Sequence, residues 1–79
     1  MMSPDQCRAS RALLGWSVQD LATAASLGTA SIKRFEAGQT MQAATVAAIA
    51  GAITSAGIVL LSAGAASPNG GEGVRRARD

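Results

Sequence analysis

From Ala37 through Gly71 this 79-residue chain carries no charged residue. Such a run either enters a bilayer or folds into small apolar elements that need cover from protein. Ala43 to Ala66 is long enough to span a membrane. Its content argues the other way. It is mostly Ala, Gly, Ser and Thr, and Val46, Ile49, Ile53 and Ile58-Val59-Leu60-Leu61 supply the strongly apolar side chains. Gly57 divides it into two pieces of different character. The expectation is a helix over about 43–56, with Val46, Ile49, Ala50 and Ile53 on one face and Gly57 as its cap. A short strand follows at 58–61. A membrane protein spanning at 43–66 is kept as the less favoured alternative.

The length allows one domain, with a core too small to be more than marginal, and oligomerisation is a common remedy. Hydrophobic residues make up 48% of the chain, much of that alanine, which packs closely but buries little per residue. The net charge of +2 points weakly to an anionic partner. Its distribution says more: Lys33 and Arg34 are adjacent at the centre, and Arg75, Arg76 and Arg78 close the chain. There is no histidine and one cysteine, Cys7. That excludes an internal disulfide and a histidine-based triad, and makes a metal cage or other cofactor site improbable. Gly70-Gly71-Glu72-Gly73 lacks the strand-loop-helix order of a phosphate loop, so an enzyme is the weakest reading. No signal-peptide pattern opens the chain, and a cytoplasmic location is expected.

The first half is punctuated as three helices. Ser3-Pro4-Asp5-Gln6 reads as a capping box with proline at the first helical position. That helix runs to about Leu14, with Cys7, Ser10, Leu13 and Leu14 inward and Gly15 ending it. Ser17 with Asp20 starts a second, short helix whose inner stripe is Leu21, Ala22 and Ala25. Ser26, Leu27 and Gly28 form a turn. A third helix runs from about Thr29 to Ala37, with Ile32 and Phe35 inward and Gly38 beyond it. Ser67 to Gly71 reads as a turn, after which Val74 to Arg78 either returns as a second strand or frays. Trp16 reads as core at the junction of the first two helices.

Two short helices with a tight turn between them leave the second as a projecting rod, a shape that fits the major groove of B-DNA. Its outer face carries Thr29, Ala30, Lys33 and Arg34: a hydroxyl, a methyl that suits thymine, and two cations. The stretch resembles the helix-turn-helix of the XRE family, which includes the lambdoid phage repressors. Ser17, Leu21-Ala22, Leu27, Ile32 and Phe35-Glu36-Ala37-Gly38 carry the resemblance, together with the run Cys7 to Ser17, and it extends from residue 3 to about 61. It implies a mainly α, four- to five-helix repressor-like domain at 1–57. Residues 58–79 would add a short strand or hairpin and a basic tail, as a dimerisation element. It implies a sequence-specific transcriptional regulator, of repressor type, binding double-stranded DNA as a homodimer. The implied DNA-binding residues are Ser17, Gln19, Gly28, Thr29, Ala30, Ser31, Lys33, Arg34, Gln39 and Thr40. It also implies a structural ion pair between Arg11 and Glu36. The chain departs from the family at Val18, where glutamine is usual, and at Ser26, where the turn has glycine. An antitoxin-type module that binds both DNA and a toxin or other protein partner is the remaining alternative.

Overall fold

The computed structural model describes residues 2–61 and 73–76. Its helices are α1 (Pro4–Leu14), α2 (Val18–Ala25), α3 (Thr29–Glu36) and α4 (Ala43–Ser55). Two strands, β1 (Ile58–Leu61) and β2 (Gly73–Arg76), follow. The chain is thus mainly helical, with one small antiparallel sheet.

Capping boxes set the starts of α1 and α2. Ser3 accepts from the Gln6 amide while Gln6 accepts from the Ser3 amide, and Ser17 and Asp20 repeat the exchange. Each box satisfies amides that a helix start leaves without partners. Three helices then end alike. A residue just past the helix, the first in α1 and α2 and the second in α3, turns left-handed, and the next amide reaches back to close the last turn, as in a Schellman motif. At α1 the left-handed residue is Gly15, and the Trp16 amide donates to Arg11 O at 2.9 Å. At α2 it is Ser26, φ +58°, and the Leu27 amide donates to Ala22 O at 2.9 Å. At α3 it is Gly38, and the Gln39 amide donates to Arg34 O at 3.1 Å.

All four helices and β1 feed one core. Cys7, Leu21, Ile32, Ile49 and Ile53 are fully buried, and Phe35, Val46 and Ile58 nearly so. Each large aliphatic among them contributes about 1.5–3 kcal/mol by leaving water. Leu14, Trp16, Val18 and Leu27 pack half-buried at its margin. Leu13, expected on the inner face of α1, is instead 38% exposed. It lies on the same flank of α1 as Gln6. β2 lies over that flank, and Arg76 reaches the Leu13 carbonyl without burying the Leu13 side chain.

The strands pair antiparallel, Ile58 opposite Arg76 and Leu61 opposite Gly73. The second strand therefore begins one residue before the expected 74 and is described only to Arg76; Arg78 and the expected turn at 67–71 lie outside the described residues. β2 runs along α1 in the same direction. Buried Gln6 holds one end, its Nε2 donating to Leu61 O (2.8 Å) and Gly73 O (3.1 Å). Arg76 holds the other by donating to Leu13 O. The lengths match: seven helical residues rise about 10 Å, and three strand steps cover about the same.

The uncharged run does not form one long helix. α4 stops at Ser55, Ala56 is its C-cap, and Gly57 takes a left-handed φ of +99°. Ile58 then starts β1, as expected for 58–61, so within the described residues the alternative 43–66 span is broken at Gly57. No described helix is long and apolar enough to cross a membrane.

Candidate nucleic-acid interface

Ile32 and Phe35 fix the orientation of α3, because both are buried in the core. At 100° per residue, Ala30, Lys33 and Arg34 then fall on the opposite face, and all three are exposed. Thr29 and Ser31 are half-buried at the start of the helix. Among the described residues, Lys33 and Arg34 form no ion pair. Gly28 is the N-cap and offers no side-chain hydrogen bond, and the first turn of α3 has no acidic residue. Gln39 and Thr40 follow directly and are exposed. The Gln39 amide is already used in closing α3, which leaves its side chain free to reach outward.

Ser17 and Gln19 stand apart from this group, on α2. Ser17 Oγ accepts from the Asp20 amide at 3.1 Å, and Asp20 Oδ2 accepts from the Ser17 amide at 2.9 Å. The start of α2 is thus closed by a carboxylate, which disfavours a phosphate there. Gln19 Nε2 donates to Thr23 Oγ1 at 3.2 Å along the exposed side of the helix. Val18, where the XRE-like pattern has glutamine, is half-buried against the core.

The far end of α3 is clamped to α1. Arg11 forks onto Glu36, Nε to Oε2 and Nη2 to Oε1, both at 2.7 Å. Arg11 Nη1 also donates to Trp16 O at 3.3 Å, so one guanidinium ties α3 to the α1–α2 turn. Cys7 Sγ donates to Glu36 Oε2 at 3.1 Å from beneath. Arg8 donates to the Glu36 carbonyl and to Asp5. Burial pushes the Glu36 carboxyl up, but the bonds from Arg11 and Cys7 and the nearby guanidinium charges outweigh it. The carboxyl is left below its ordinary value. Burial, with the bond to Glu36 second, pushes the Cys7 thiol up to about 12. The Glu36 bond raises the Arg11 guanidinium further above its ordinary value. Glu36 is therefore ionised but fully engaged, and its charge is answered before it can oppose an anion on α3.

Sequence reasoning placed Cys7 in the core without finding its bond to Glu36, and treated Gln6 only as a cap. Arg8 was not singled out. The available signal was the spacing to Arg11, with Cys7 four residues and Arg8 three residues before it, the separations at which helix side chains are neighbours.

Neither a protein-family model nor a curated protein matches the chain. The chemistry of the site therefore rests on its own residues.

Proposed function

We propose that the chain is an XRE-like helix-turn-helix protein that binds double-stranded DNA sequence-specifically and regulates transcription, with α3 as the reading helix. The observation that carries this reading is the outer face of α3. It presents Ala30, Lys33 and Arg34 to solvent, opposite a buried Ile32–Phe35 face. The tight turn at Ser26–Gly28 and the fork from Arg11 hold that helix as a rigid rod. A rod of this width enters the major groove, where arginine and lysine pair with guanine edges and a small methyl side chain lies against thymine. Thr29, Ser31, Gln39 and Thr40 sit where phosphate contacts would fix its register. Ser17 and Gln19 belong to the interface only if α2 crosses the backbone, and their existing bonds make them its weakest members. A repressor acting as a homodimer on a two-fold site, in the cytoplasm, goes with this reading.

The test is selection of bound duplexes from a random pool by the purified protein, followed by the same selection with the Lys33→Ala, Arg34→Ala double variant. The reading expects one enriched motif with two half-sites, and its loss in the variant. A wild-type protein that enriches nothing sinks it.

A further inference from the structure

In a two-stranded sheet each strand has one edge without a partner strand among the described residues. The two edges here differ in chemistry. β2 offers Gly73-Val74-Arg75-Arg76, and a second copy pairing there antiparallel would set arginines near arginines, a destabilising arrangement. β1 offers Ile58-Val59-Leu60-Leu61. It has no charge, proline or glycine, and so none of the residues that commonly keep an edge from pairing. Ile58 and Leu60 pack toward the core, and strand alternation places Val59 and Leu61 on the other face.

The surroundings of β1 favour a copy of the same chain over a charged partner. In a two-fold contact the same surface meets itself, so charges close to the axis meet their like. α4, which leads into β1, has no charged residue, and its exposed positions are Ala43, Ala44, Ala47, Gly51, Thr54 and Ser55. An approaching second copy therefore meets no repulsion from the neighbouring helix.

We propose that the edge of β1 without a partner strand among the described residues pairs antiparallel with β1 of a second copy, joining the two hairpins into one four-stranded sheet ordered β2-β1-β1-β2. This gives the homodimer of the DNA-binding reading its surface and rests on that reading only for its purpose. The test uses no DNA, so the two fail separately.

Sedimentation of the wild-type chain from micromolar to millimolar concentration should show a species of twice the 7.9 kDa chain mass. Val59→Glu, which faces Arg75 within its own hairpin and places carboxylates close across the two-fold axis, should sediment at one chain mass with an unchanged helical spectrum. On the wild type alone, dilution through the dissociation midpoint should speed amide exchange within 58–61 by about tenfold or more. A wild-type chain of single mass throughout overturns the proposal. So does a dimer whose 58–61 amides ignore dilution, or one that Val59→Glu leaves intact. If Val59→Glu does not fold, the exchange measurement decides.

Discussion

Arg11 and Glu36 meet fork to fork, with two N–H···O bonds of 2.7 Å each, across 25 residues of chain. The Glu36 side chain is 9% exposed and that of Arg11 20%. Such a pair contributes little compared with an apolar pair of the same shape, but breaking it leaves one charge stranded. Arg11→Ala is therefore expected to cost about 3–5 kcal/mol in urea unfolding. Arg11→Lys keeps the charge and loses the fork, so it should recover only part of that. A loss under about 1 kcal/mol for Arg11→Ala would place the pair with ordinary surface bridges.

The same cluster sets the pH limits of stability. The folded Glu36 carboxyl titrates below its unfolded counterpart, so its contribution is complete above the unfolded value of about 4.3. It is lost as pH falls through the lower folded value. Cys7 acts at the other end. Its thiol ionises at about 12 in the folded chain against 9.0 ordinarily. The unfolded chain releases that proton first, so stability declines as pH rises from about 9 to about 12. Urea midpoints measured across pH should decline at both ends. Cys7→Ala should flatten the alkaline decline and Glu36→Gln the acid one.

Gln6 bonds both strands of the hairpin from inside α1. Glu at this position keeps the cap acceptor and loses both donors, leaving Leu61 O and Gly73 O without their side-chain partner. Gln6→Glu is expected to cost about 1–3 kcal/mol, with the loss showing first as faster amide exchange in 58–61 and 73–76. Equal protection in variant and wild type would assign the hairpin's docking to Arg76 and apolar contact alone.

This residue also marks how far the sequence could be read. Helix starts were legible, because Ser3-Gln6 and Ser17-Asp20 are local exchanges three residues apart. The buried faces of α2, α3 and α4 were legible from periodicity, which fails only where cover comes from a distant element. Leu13 shows that failure: its spacing matches Ser10 and Leu14, yet the strand some sixty residues away that lies over this flank leaves its side chain exposed. Gln6 is the converse, a polar residue buried because the same strand lies over it. At the candidate interface, the exposed stripe of α3 followed from Ile32 and Phe35. The closure of α2 by Asp20 followed equally from the capping box, and bears against Ser17 as a phosphate contact. The pairing of Arg11 with Glu36 was suggested only by family resemblance, since nothing local links positions 25 apart.

Ser26 holds a left-handed φ of +58° where the other two Schellman endings use glycine. A side chain at this backbone costs about 1–2 kcal/mol in a left-handed turn. Replacing it with glycine removes that cost but adds freedom to the unfolded chain. Ser26→Gly should therefore stabilise by a net of about 0.5–1 kcal/mol, raising the thermal midpoint without changing the helical spectrum. A lower midpoint would mean that the Ser26 hydroxyl supports the turn in a way its backbone bonds do not.

Lys33 and Arg34 can be removed without disturbing the fold, because both are exposed and make no ion pair among the described residues. Lys33→Ala and Arg34→Ala should thus leave urea midpoints within about 0.5 kcal/mol of wild type. Under the DNA-binding reading their effects on binding separate by contact type. A cation that reads a base costs about 1–3 kcal/mol when removed and relaxes preference at that position. A cation that holds a phosphate weakens all duplexes alike and lowers the salt slope by about 0.9. Arg34 lies one turn beyond Ala30 on the most outward line of α3, so it is expected to behave as the base reader, and Lys33, beside Thr29, as the phosphate contact. Fluorescence anisotropy against the selected motif and a scrambled duplex, at several salt concentrations, separates the two. Arg34→Ala should narrow the preference between the duplexes by about 1–3 kcal/mol, whereas Lys33→Ala should preserve it and flatten the salt dependence. The reverse pattern would turn α3 by part of a turn in the groove and reassign both residues.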